Sequence, residues 1–175
     1  MTRIGICTVL AVLVSLAGGA ALHSARAADT NSGSIDKGRY LVTISGCNDC
    51  HTASWPESNG TTPEAEWLTG VPIGWRGPWG TSYASNLRLL AQDLDEDAWV
   101  VMLRERQGKP PMPWMNLNRM HDDDARAIYR FIRSLGARGE RMPMAVAPGI
   151  EPATPYFVLE PQHMERLTPS VADSN

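Results

Sequence analysis

Cys47-Asn48-Asp49-Cys50-His51 limits what this chain can fold around more than any other stretch of it. Cys-x-x-Cys-His is the spacing that attaches a c-type haem. Two thiols one helical turn apart can each add across a haem vinyl group, and the histidine that follows carries its imidazole under the iron. The fold must therefore offer one short helical turn to a flat macrocycle. A bare Cys-x-x-Cys would equally suit a thiol-disulfide centre or half of a zinc site. Against zinc, the only other cysteine is Cys7 and the remaining histidines are scattered singly. Against a thiol-redox enzyme, the flanks read as helix and loop instead of strand-helix-strand. The expected cofactor is one covalent haem c, attached at Cys47 and Cys50, with His51 as an iron ligand.

The N-terminus agrees on a compartment. Arg3 starts a mostly apolar run from Ile4 to Leu22, and Ala25-Arg26-Ala27 supplies small residues for cleavage, so residues 1–27 read as a secretory signal peptide. A retained anchor is the competing reading, since about 20 apolar residues cross a bilayer. Ser15, Gly18, Gly19 and His23 speak against it. Cleavage after Ala27 removes Cys7 and leaves Cys47 and Cys50 as the only thiols. Covalent haem attachment happens outside the bacterial cytoplasm, so the expected location is the periplasm, with no membrane span after cleavage. Losing Arg3 and Arg26 moves formal net charge from −3 to −5. A nucleic-acid partner, which would want a basic stripe, is not expected.

What remains suits one domain, residues 28–138, followed by a proline-rich extension, residues 139–175. The 13 prolines and 15 glycines imply short helices joined by long ordered loops. Three helices can be placed. The first runs from Ile35 to Ser45, capped by Ser34 or Asp36, with Gly38 inside it asking for close helix packing. The second covers Asp95 to Gln107, with Trp99, Met102, Leu103 and Arg106 on one face and Gly108 as its stop. In the third, Asp122 caps a stretch where Ile128, Phe131, Ile132 and Leu135 recur at helical spacing, and Gly136 ends it. Arg126, Arg130 and Arg133 read as its solvated face, with Asp122 and Arg126 as an i, i+4 ion pair.

The sixth iron position decides between carrier and reactive haem. Methionine there raises the potential and closes the iron. Met112 stands in Lys109-Pro110-Pro111-Met112-Pro113-Trp114, where prolines remove backbone freedom and make a stiff holder for a weak thioether. Met115 and Met120 lie nearby, Met102 reads as core, and Met142, Met144 and Met164 fall in the extension. His121 and His163 are the histidine alternatives. An open sixth site would instead suit ligand sensing or peroxide chemistry.

Six tryptophans, Trp55, Trp67, Trp75, Trp79, Trp99 and Trp114, lie between the motif and the region just past Met112. Such rings can wall a macrocycle from water, and an indole N–H can donate to a propionate. Trp79, Tyr83 and Asn86 are the propionate candidates. A carbonyl of Pro78, or of Pro56, could orient His51 through its other ring nitrogen. In the extension, Tyr156-Phe157-Val158-Leu159 is an apolar patch suited to wrapping across the domain or docking on a partner.

In order along the chain, the motif, Tyr83-Ala84-Ser85-Asn86-Leu87, Leu103-Arg104, Pro111-Met112-Pro113-Trp114 and Asp124-Ala125-Arg126-Ala127-Ile128-Tyr129 with Phe131-Ile132-Arg133-Ser134-Leu135 resemble class I monohaem cytochromes c, in particular those serving bacterial periplasmic dehydrogenases. The resemblance covers Ile35 to Gly136. It implies an all-α fold around one haem, Met112 as distal ligand, and first and last helices crossing at Gly38 against the Tyr129 or Phe131 face. It departs at Arg88, where relatives usually carry threonine. The function it implies is single-electron transfer, without catalysis of its own, to a redox partner protein: a periplasmic dehydrogenase, a terminal oxidase or another cytochrome. The alternatives are a haem subunit of a dehydrogenase complex and, further off, a haem enzyme or ligand sensor.

Overall fold

The computed structural model describes residues 34–166; the leader and the anchor alternative lie outside them. Helix α1, residues 34–44, passes through Gly46, whose left-handed φ of 67° turns the chain directly into α2, Cys47–His51. Then follow strands β1, Val71–Gly77, and β2, Gly80–Ala84, and helices α3, Leu87–Asp93, α4, Glu96–Glu105, α5, Trp114–Leu117, and α6, Asp122–Ser134; β3, Tyr156–Val158, comes last of the strands. Among the described residues no helix is long and apolar enough to cross a membrane.

The core forms where α1 crosses α6. Gly38 makes the crossing possible: a Cβ there would run into the Ala127 carbonyl and come within 2.7 Å of Phe131 Cβ. Phe131 and Ile132 from α6, Val42 from α1 and Leu68 are fully buried, with Trp67, Trp99, Leu103, Ile128 and Tyr129 around them. The Tyr129 hydroxyl donates to the Leu94 carbonyl at 2.8 Å and joins α6 to the turn before α4.

The arginine face of α6 is not simply solvated. Arg130 donates to Glu96 at 2.7 and 3.0 Å, and Arg126 reaches Glu96 and Asp97, so α6 is ion-paired across to α4. Asp122 pairs with Arg104 instead of Arg126. The N-cap position belongs to His121, which makes no side-chain cap, and Asp122, Asp123 and Asp124 fill the first turn where the helix dipole favours acids. Asp95 caps α4 by accepting from Ala98 N at 2.7 Å.

An all-α fold was the expectation, and the sheet corrects it. β1 and β2 form an antiparallel hairpin closed by Gly77 opposite Gly80, and β3 adds to β1 in parallel, giving the order β2-β1-β3. The fold is mixed α/β. The glycines and prolines of the chain implied long loops between helices, but here Pro78-Trp79 is a two-residue hairpin turn and the glycines let neighbours approach. Gly74, for instance, leaves room for Thr81 and Tyr83. The pairing of β3 is non-local and has no local signature.

The extension is built into the domain. Thr81 and Val146 exchange two backbone hydrogen bonds of 2.9 Å, and Arg141 grips Asp93 with two bonds of 2.8 and 2.9 Å. Tyr83 Oη and Thr154 Oγ1 stand 2.8 Å apart. Phe157, Val158 and Leu159 remain exposed even so.

Candidate functional site

His51 is the last residue of α2 and only 6% exposed. Its carbonyl accepts from Gly70 N at 2.8 Å, and its Nδ1 lies 2.7 Å from the Ser85 carbonyl. A carbonyl can only accept, so Nδ1 carries the proton and Nε2 keeps its lone pair. Burial lowers the pKa of His51 against the opposing pull of Ser85, which holds the ring neutral and ready to ligate. Sequence reasoning looked to Pro78 or Pro56 for this carbonyl. Instead, the residue directly after β2 supplies it, because the hairpin returns the chain to α2.

Thr52 fixes the backbone behind His51. Its Oγ1 donates to Asn48 Oδ1 at 2.7 Å and accepts from Leu68 N at 2.8 Å, all of it buried. The thiols of Cys47 and Cys50 are free and half-buried. Burial pushes Cys47 up to about 11 and raises Cys50 as well, with Asp49 contributing. Thiol-disulfide enzymes need the opposite, a lowered thiol pKa. Among the described residues no three His, Cys, Asp or Glu side chains converge as a zinc site requires.

Met112 sits half-buried in the loop between α4 and α5. Its carbonyl accepts from Trp114 N at 2.9 Å, Ser82 Oγ donates to the Pro110 carbonyl, and Lys109 Nζ reaches Val146 O at 3.4 Å. The Arg106 guanidinium lies over the Trp114 ring, 5.0 Å from its centroid. Asn118 Nδ2 closes the loop by donating to the carbonyls of Leu103, at 2.7 Å, and Arg106, at 3.1 Å. The rival methionines are placed otherwise: Met115 is 65% exposed, while Met102 and Met120 pack against the core. One strand thus serves both donors, since Ser82 tethers the Met112 loop and Ser85, just past the strand end, orients His51.

The other candidates divide. Trp79 Nε1 is buried with no hydrogen-bond partner, and the ring lies against Gly77. It remains a donor in search of an acceptor. Tyr83 is half-buried, its hydroxyl matched with Thr154. Asn86 caps α3 by accepting from Leu89 N at 3.0 Å and donates to the carbonyls of Arg138 and Glu140, so its side chain is fully engaged in holding the fold. Arg88 is buried and donates to the carbonyls of Gly136 at 2.6 Å, Ala65 at 2.8 Å and Leu135. It ties off the end of α6. Sequence reasoning missed a second indole: Trp99 Nε1 is also buried without a partner. One surface groove lies at Arg119 and His121, another at Asp49, Trp55 and Asn59.

These residues fit a covalent haem. The fit is one of donor chemistry: the chain holds two thiols, a neutral imidazole with one free nitrogen, a thioether on a pinned loop and a buried indole N–H without a partner, the types of group that a haem with its carboxylates would use. Compared with protein-family models, curated proteins and solved structures, the chain finds no match.

Proposed function

We propose that this chain is an exported electron-transfer protein that holds one haem c through Cys47 and Cys50, with His51 and Met112 as axial ligands. The resemblance of its motifs to monohaem cytochromes c points the same way. The observation that carries the reading is the Ser85 carbonyl at 2.7 Å from Nδ1 of a buried His51 that directly follows Cys-x-x-Cys. That bond selects one tautomer and leaves the lone pair of Nε2 available.

Bound there, haem supplies a one-electron iron couple. The chain's own residues do the rest. Thr52 and Gly70 immobilise the backbone of His51, so little has to reorganise when charge changes beside it. The proline-rich loop limits the backbone around the Met112 thioether, which would hold the iron at small entropic cost and would exclude an external ligand. Trp79 and Trp99 hold buried N–H groups with no acceptor among the described residues.

The test is exported protein, unfolded and stripped of non-covalent groups, assayed for haem content by its pyridine haemochrome. One haem retained per chain, and none in Cys47→Ser/Cys50→Ser, is the expected result. Colourless wild-type protein with two titratable thiols would reject the proposal.

A further inference from the structure

Across most of the surface each cation sits against a carboxylate, as Lys37 does on Asp124, Arg39 on Glu64 and Arg141 on Asp93. Residues 104–120 break that pattern. Four cations, Arg104, Arg106, Lys109 and Arg119, stand there with a single acid, Glu105, in the same stretch, and Asp122 and Asp123 border the groove beside Arg119. Arg104 is taken by Asp122. The other three meet only rings and carbonyls: Arg106 lies over Trp114, Lys109 reaches Val146 O, and Arg119 donates to Met115 O at 2.7 Å. Such contacts fix the position of a charge without cancelling it.

All three belong to the loop that carries Met112 or to the turns directly after it. Between them stand Met115, 65% exposed, and the exposed Pro111 and Pro113. This is an apolar centre with a positive rim on a chain whose formal net charge is −3. The local sign opposes the global one.

We propose that the Met112 loop and α5 form a docking face for an acidic surface of a redox-partner protein, with Arg106, Lys109 and Arg119 as charged rim and Met115 as apolar centre. The proposal rests on the reading of Met112 as the distal donor, which puts this face beside the redox group. Opposite charges steer encounter and set orientation, and a small apolar centre expels water at the contact while letting the complex part quickly. A lipid surface would call for a helix with a broad apolar face, and α5 is a single turn, Trp114–Leu117.

The test uses reduced holoprotein and two small oxidants, anionic hexacyanoferrate(III) and cationic tris(phenanthroline)cobalt(III), across a range of ionic strength. If total charge governed, the anion would be repelled and its rate would rise with salt. The docking face requires the reverse, an anion rate that falls with salt. In R106E/K109E/R119E that rate should drop about tenfold at low salt and its salt dependence should change sign, with the haem spectrum unchanged. A wild-type anion rate that rises with salt, or a salt dependence untouched by the triple variant, overturns the proposal. A heptaglutamate peptide titrated into full-length protein and followed by amide NMR shifts needs no electron transfer. Shifts concentrated at residues 106–119 support the face even in protein that proves to hold no haem, which separates the two failures. Shifts centred elsewhere, or stronger binding to phosphatidylglycerol vesicles than to the peptide, overturn it.

Discussion

The region around His51 and the region around Met112 fix their side chains by different means. His51 is 6% exposed, its ring bonded to Ser85, its carbonyl to Gly70, and its neighbour Thr52 locked between Asn48 and Leu68. Met112 stands on a half-exposed loop, where three prolines limit the backbone and the Ser82 hydroxyl holds the Pro110 carbonyl. The first arrangement gets its rigidity from burial and satisfied hydrogen bonds, the second from a chain with few conformations to lose. If the two hold a haem as proposed, the His51 side would be the permanent half of the site and the Met112 side the exchangeable one.

The widest contrast should come from removing the donors themselves. Met112→Ala is expected to keep its covalent haem, bind carbon monoxide and imidazole, and lower its potential, whereas His51→Ala should fail to mature as a low-spin protein. Absorption spectra of both variants check this. Unchanged ligation in Met112→Ala would move the distal role to Met115 or a histidine and break the comparison.

Glycine substitutions sharpen it. A Cβ at Gly38 meets the Ala127 backbone, which cannot retreat without parting α1 from α6, so Gly38→Ala should cost about 3 kcal/mol or more in a denaturant titration. At Gly108 the obstacle is the Trp114 side chain, which can swing aside, and Gly108→Ala should stay within about 1 kcal/mol. Equal costs would mean that the loop is as tightly packed as the core.

Single hydrogen bonds give the next scale. Thr52→Val strands buried groups on Asn48 and Leu68 and should cost about 2 kcal/mol, while Ser82→Ala frees one exposed carbonyl and should cost less than about 1 kcal/mol. The last scale is pH, which separates the regions because Met112 does not titrate. In haem-free protein, burial holds His51 below its usual 6.5, so stability is full above that pH and falls as the unfolded chain takes up a proton first. Cys47, raised from 9.0 to about 11, acts at the other end, where stability is lost as pH climbs from 9 toward 11. Loading with haem should abolish both dependences, since the groups are then bonded. Chemical denaturation across pH, with and without haem, reads all of this.

The motif helix, α4 and α6 could be read from the chain because each depends on spacing within about twenty residues, whereas the crossing of Gly38 with Ala127 and Phe131 was implied only by the resemblance. Helix α3 could not, since Asn86 looked like a ligand contact when it is that helix's cap, and its seven residues carry too little periodicity to stand out. Arg126 and Arg130 looked solvated for a related reason. Their partner, Glu96, lies 30 and 34 residues away, and nothing in helical spacing announces it.

By itself the sequence determined the chemistry on offer: two thiols and an imidazole at fixed spacing, a methionine between prolines, and helices whose apolar stripes must meet. These are properties of covalent order and local period. Tertiary structure alone decided that Ser85 orients His51, that Ser82 tethers the opposite loop, that the extension completes a sheet, and that three cations beside Met112 lack a carboxylate. Each of those depends on a partner distant along the chain, chosen when burial made unpaired polar groups too costly to leave.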